Sequence, residues 1–136
     1  MAEWRDLVTF IRQSYRVVRD EPDEIRIRLV FGDGDPDTEQ RAQVVVIAHE
    51  IFDQKEDWVQ IATPFARADE VDLHAVLAEI GNTIVVGGAA VMGDHIVLRH
   101  SLPLINLDIN EFLDPLELVA GSAELLEQQF TGRDDY

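Results

Sequence analysis

The chain contains no cysteine, which removes disulfides and thiolate metal sites from consideration. It has no apolar run of membrane-spanning length, so no transmembrane helix is expected. Basic residues are scarce: 11 Lys and Arg stand against 27 Asp and Glu, a net charge of −16. Such a field repels nucleic acid and anionic lipid within the screening distance, so neither is an expected partner. Lysine is nearly absent, Lys55 standing alone beside ten arginines. Repeats, low-complexity tracts and linkers are also missing, and 136 residues then read as one domain spanning 1–136. A chain of that size buries roughly two-thirds of its unfolded surface, enough for a core without staples. The opening Met1-Ala2-Glu3-Trp4-Arg5-Asp6 lacks the basic-then-apolar pattern of a signal peptide, so a cytoplasmic protein is expected.

What is present is a series of periodic segments. Trp4, Leu7, Val8, Ile11, Tyr15 and Val18 follow helical spacing and predict a helix over 3–19, ended by Pro22. Ile25, Ile27, Leu29 and Phe31 alternate with Arg26, Arg28 and Val30, the period of a half-buried strand. Val44-Val45-Val46-Ile47 predicts a central strand within 41–52. Trp58 to Thr63 predicts a third strand, stopped by Pro64. Asp69 is a candidate cap for a helix over Val71–Ile80, closed by Gly81-Asn82. Two strands, Thr83–Met92 and His95–Leu102, meet at Gly93-Asp94. A terminal helix in two pieces follows, with an Asp108/Glu111 capping box and a restart at Pro115. Gly132 stops it, and the tail 132–136 is expected to be disordered. The class is therefore α+β, in the order α-β-β-β-α-β-β-α, with helices packed on an antiparallel sheet.

No motif supplies chemistry. Asp33, Asp35 and Asp37 alternate like the first ligands of a calcium loop, but Thr38 stands where glycine is required and Val44 where glutamate is. His49, His74, His95 and His100 form no local metal pair. Ser14, Ser101 and Ser122 lack a nucleophile elbow, and Gly87-Gly88 falls inside a predicted strand where no phosphate loop belongs. No catalytic residue, cofactor or metal is assigned, and an enzyme is not expected.

Surfaces carry more. On a helix over 3–19, Arg5, Arg12, Arg16 and Arg19 fall in one stripe beside the apolar face. They either cover core edges and pair with the chain's own carboxylates, or form a groove for an acidic partner. Surplus apolar positions, Phe10 and Val17 on the first helix and Leu118 and Leu125 on the last, need a cover. Together with Arg12 and Arg16 they are the candidate partner-binding residues. The middle helix reads with Leu73, Val76, Leu77 and Ile80 toward the core and Val71, Ala75 and Ala78 opposite. The small residues Gly87, Gly88, Ala89 and Ala90 allow close approach, so they join Val71, Ala75 and Ala78 as the candidate dimer interface.

Three stretches carry a family resemblance: Trp58 to Ala66, Val97 to Leu104, and Leu107-Asp108 with Asp114-Pro115-Leu116. In these and in element order the chain resembles the YbjN family, labelled bacterial sensory transduction regulators, with a type III secretion chaperone-like fold. Residue-level likeness covers roughly 56–130; before residue 55 only element order matches. The resemblance implies a dimer acting by protein binding, joined through the middle helix and the strand that follows it. The reading is a non-enzymatic, homodimeric, chaperone-like or regulatory module that recognises an unidentified protein partner through apolar helix faces. The alternative is a small-ligand or enzymatic domain with a His/acid site between sheet and helices.

Overall fold

The computed structural model describes residues 3–31 and 40–136. Its elements are α1 (Trp4–Ser14), β1 (Arg16–Glu21), β2 (Glu24–Phe31), β3 (Arg41–Phe52), β4 (Glu56–Arg67), α2 (Leu73–Thr83), β5 (Gly88–Met92), β6 (His95–Pro103) and α3 (Ile109–Thr131). The strands form one six-stranded sheet in the order β1-β2-β3-β4-β6-β5, antiparallel throughout. The α+β class holds among the described residues, with one strand more than the sequence indicates.

The extra strand comes from the first predicted helix. It ends at Ser14, and Tyr15 is already extended, with φ −133° and ψ 159°. Arg16 to Glu21 then form β1, which folds back on β2 through a turn at Pro22-Asp23. Val17 and Val18 are β-branched and poor helix formers, and pairing with β2 outweighs the helical spacing. Pro22 is thus a turn residue between strands.

Three further boundaries differ. β4 continues through Pro64 to Arg67, with its register against β6 shifting between Pro64 and Ala66. Pro64 has no N–H to donate, and the β3–β4 ladder runs only as far as Val46 opposite Ala62. Side chains bridge the parting: Gln43 Nε2 donates to Thr63 Oγ1 at 2.7 Å and to the Pro64 carbonyl at 2.6 Å, and Thr63 Oγ1 donates to the Val44 carbonyl at 2.9 Å. In α2 the cap is Asp72, whose carboxylate accepts from Ala75 N at 3.2 Å, and the helix runs through Gly81 and Asn82 to Thr83. β5 consequently starts only at Gly88. Finally, α3 is one helix with Pro115 inside it. Pro115 forfeits one backbone bond, and the fully buried Phe112 and Leu116 on either side hold the helix to the sheet. Its ends match expectation: Glu111 accepts from Asp108 N at 3.0 Å, and Gly132 closes it at φ 69°.

Alternation sorts the sheet into two faces. One carries Ile25, Ile27, Val45, Ile47, Ile61 and Leu98, all fully buried beneath α1, α2 and α3. The opposite face carries Arg28, Val44, Val46, Ala62, Val97 and Arg99, and no helix among the described residues lies on it. The described residues therefore form two layers, with one sheet face carrying no helix.

The tail expected to be disordered is held. The Asp134 carboxylate accepts from Ala42 N at 3.1 Å, and Asp135 N donates to Glu127 Oε2 at 2.6 Å. Arg133 pairs with Glu70, and the Tyr136 ring meets His95 edge-on at 5.5 Å. The reason is the same parting of β3 and β4: it leaves Ala42 N without a strand partner, and Asp134 supplies one.

Candidate interaction surfaces

The predicted arginine stripe does not survive as one surface, because two of its members leave the helix. Arg5 and Arg12 remain on α1, whereas Arg16 and Arg19 lie on β1. Most are occupied by the chain's own acids: Arg5 by Glu3 at 2.8 Å and Arg19 by Glu21 at 2.6 Å; on β2, Arg26 likewise pairs with Glu24 at 2.8 Å. Arg12 donates twice to Asp20, at 2.7 and 2.9 Å, so it is committed to tying α1 to β1. That hydrogen bond holds the Asp20 carboxyl below its ordinary range. Arg16 and Arg28 are cross-strand partners on the bare face, and neither makes an ion pair among the described residues.

Of the four apolar candidates, Phe10 and Val17 are half-buried against the core, Phe10 lying edge-on to Tyr15 at 6.4 Å. Val17 belongs to β1, opposite Ile27. Leu118 and Leu125 are exposed on α3, Leu125 at 63%. Leu125 borders a depression of about 490 Å³ between the end of α2 and α3, which also takes in Ile84, Leu126 and Gln129.

The middle-helix assignment is rotated. Val76 is buried, but Leu73 and Leu77, read as core, are exposed, Leu77 at 56%. Val71 is half-buried and packs against the core; Ala75 is half-buried and Ala78 exposed. Leu73 and Leu77 line a depression of about 160 Å³ with Ala89, Ala90 and Val91. α2 sits over the β5 margin of the sheet, so its outer apolar side finds no further strand to cover it. Of the glycines, Gly87 (φ 96°) precedes β5, and a Cβ there would meet the Arg99 carbonyl at 3.1 Å. Its smallness therefore serves packing within the chain. Gly88, Ala89 and Ala90 lie on β5 itself.

The histidines do not converge. His49 Nε2 lies 2.8 Å from Asp57 Oδ1, its ring stacks on Trp4 at 5.3 Å, and Trp4 Nε1 donates to the Pro22 carbonyl at 2.9 Å. This cluster fastens α1 to β3 and to the β1–β2 turn. His74 is exposed on α2, His95 meets Tyr136, and His100 is on β6. Five surface depressions of 160 to 490 Å³ on the described residues contain at most one histidine each, His95. No group of three or more metal-ligating side chains occurs among the described residues. The Asp33/Asp35/Asp37 loop lies outside the described residues.

One buried acidic site is not evident from sequence. Glu124 and Glu127 of α3 face Arg41, with Glu127 fully buried and its Oε1 4.0 Å from the guanidinium. Burial pushes the Glu127 carboxyl above its ordinary value, helped by Asp134 and opposed by the Asp135 N–H bond and Arg41. The folded chain thus keeps this proton to higher pH than the unfolded chain. Stability from this group is complete below the ordinary value of 4.5 and is lost as pH rises through the raised value. Glu127→Gln, a mimic of the neutral form, should match the parent below pH 4.5 and exceed it at neutral pH. Urea midpoints across that range test this; parallel profiles would refute it.

Comparison with protein-family models finds none that matches the chain, and comparison with curated proteins finds no match. No helix among the described residues is long and apolar enough to cross a membrane.

Proposed function

We propose that this chain is a non-enzymatic, homodimeric protein-binding module of the cytoplasm, chaperone-like or regulatory in role and of the YbjN type. The observation that carries the reading is the outer strand β5. Gly88-Ala89-Ala90-Val91-Met92 bears no charge, and Val91 is 58% exposed. An uncharged apolar edge is a template for another strand. The opposite edge differs: β1 is guarded by Arg16, Arg19, Asp20 and Glu21.

A second copy fits the β5 edge. Antiparallel pairing of β5 with its symmetry mate joins two sheets, and Leu73 and Leu77 of each α2 close over the seam. Of the interface residues read from sequence, Gly88, Ala89 and Ala90 stay in this arrangement, and Leu73, Leu77 and Val91 replace Val71, Ala75 and Ala78 at its centre. Client contact falls to Leu118 and Leu125, whose exposed stripe continues along α3.

Sedimentation of the parent and of Leu77→Arg/Val91→Lys tests the reading. The parent should sediment as a dimer and the variant as a folded monomer with an unchanged circular dichroism spectrum. A dimeric variant would move the interface elsewhere, and a monomeric parent would end the homodimer reading.

A further inference from the structure

We propose that the helix-free face of the sheet docks an acidic segment of a partner protein, anchored by apolar side chains. This surface is separate from the α3 leucines and borders β5 at Met92, and it does not require dimerisation.

The floor is apolar and shallow. Val46 of β3, Ala62 and Pro64 of β4, and Val97 of β6 floor a depression of about 400 Å³ on this face, with Glu24, Arg26, Met92 and His95 at its rim; Ala62 and Val97 are each 6% exposed. Small side chains keep it open enough for an extended segment whose alternate residues point down.

Arginines outnumber acids on this face of an otherwise strongly acidic chain: Arg16, Arg19, Arg26, Arg28 and Arg99 share it with Glu21 and Glu24. Arg26, Val46, Ala62 and Arg99 stand in one register row across β2, β3, β4 and β6. Arg26, paired with Glu24 at 2.8 Å, thus stands on one side of the apolar floor and Arg99 on the other. In the next row Arg16 lies directly opposite Arg28. Like charges so placed repel. Neither Arg16, Arg28 nor Arg99 makes an ion pair among the described residues. A partner carboxylate between Arg16 and Arg28 relieves that repulsion and gains charge-assisted bonds.

A polyanion fits less well than an acidic peptide. A phosphate backbone gains nothing from a floor of Val46, Ala62 and Val97. A segment alternating carboxylate and apolar side chains uses both features of the face.

The test is a methyl and backbone NMR titration of the intact chain with a short synthetic peptide alternating glutamate and valine. Its lysine–valine counterpart, an oligothymidylate and phosphatidylserine vesicles form the comparison arms. The glutamate–valine peptide should shift Val44, Val46, Ala62 and Val97, more weakly at high salt. Arg16→Gln/Arg28→Gln should weaken it by about tenfold or more, while Arg5→Gln on α1 leaves it unchanged. Arg99→Gln gives an independent second loss if the paired variant is poorly folded. Equal binding of the lysine–valine peptide, tighter binding of the oligothymidylate or vesicles, shifts confined to the helical side, or no shift at millimolar peptide would each overturn the proposal.

Discussion

Phe112→Ala is expected to cost about 3–5 kcal/mol of folding stability. Phe112 is fully buried near the start of α3, the helix that crosses the inner face of β3, β4 and β6. Its loss removes apolar burial and leaves a cavity that the rigid sheet beneath cannot close. The site is sensitive for a second reason. Pro115 already deprives this part of the helix of one backbone bond, so side-chain packing carries more of its attachment. Against a total stability of about 5–15 kcal/mol, such a loss is a large share. Urea denaturation at fixed protein concentration should show a lower midpoint with an unchanged slope. A cost under about 1 kcal/mol would mean that α3 is not seated as described.

Gln43→Ala is expected to cost about 2–4 kcal/mol. Gln43 is fully buried, and its amide spans the parting between β3 and β4 that Pro64 creates. Alanine leaves the Pro64 carbonyl without its partner and opens a void beside Thr63. Part of the loss is offset, because Gln43 Oε1 is itself buried with no hydrogen-bond partner. Thr63→Val should cost less on its own, and the paired variant should fall short of the sum, because the two side chains share one bond. Additive losses in a double-mutant cycle would refute the bridging role. The same parting exposes Ala42 N to Asp134, so Gln43→Ala should also raise amide exchange in 133–136.

The strands were legible where alternation was strict. Ile25, Ile27 and Leu29 against Arg26 and Arg28 marked β2 and its buried face without ambiguity. The Asp108/Glu111 box and Gly132 marked both ends of α3, because capping chemistry is local. Failures arose where a local signal was ambiguous or overruled. Val17 and Val18 suit both a helical stripe and a strand, and only a paired β2 decides between them. Pro64 reads as a stop, yet the Gln43 amide, 21 residues away in sequence, satisfies its carbonyl.

The surfaces follow from those decisions. Once residues 16–21 are a strand, Arg16 joins Arg28 on the bare sheet face, and Arg12 turns to Asp20. Composition settled the absence of thiol chemistry and the acidic field, periodicity settled the α+β class and the alternating inner face, and local capping chemistry settled the ends of α3. These depend on neighbours within a turn or two of chain. Tertiary structure alone decided which face of α2 is open, which arginines pair with which acids, how the tail is pinned and which sheet face carries no helix among the described residues. Each of those depends on residues distant in sequence meeting in space, and no local pattern encodes that meeting.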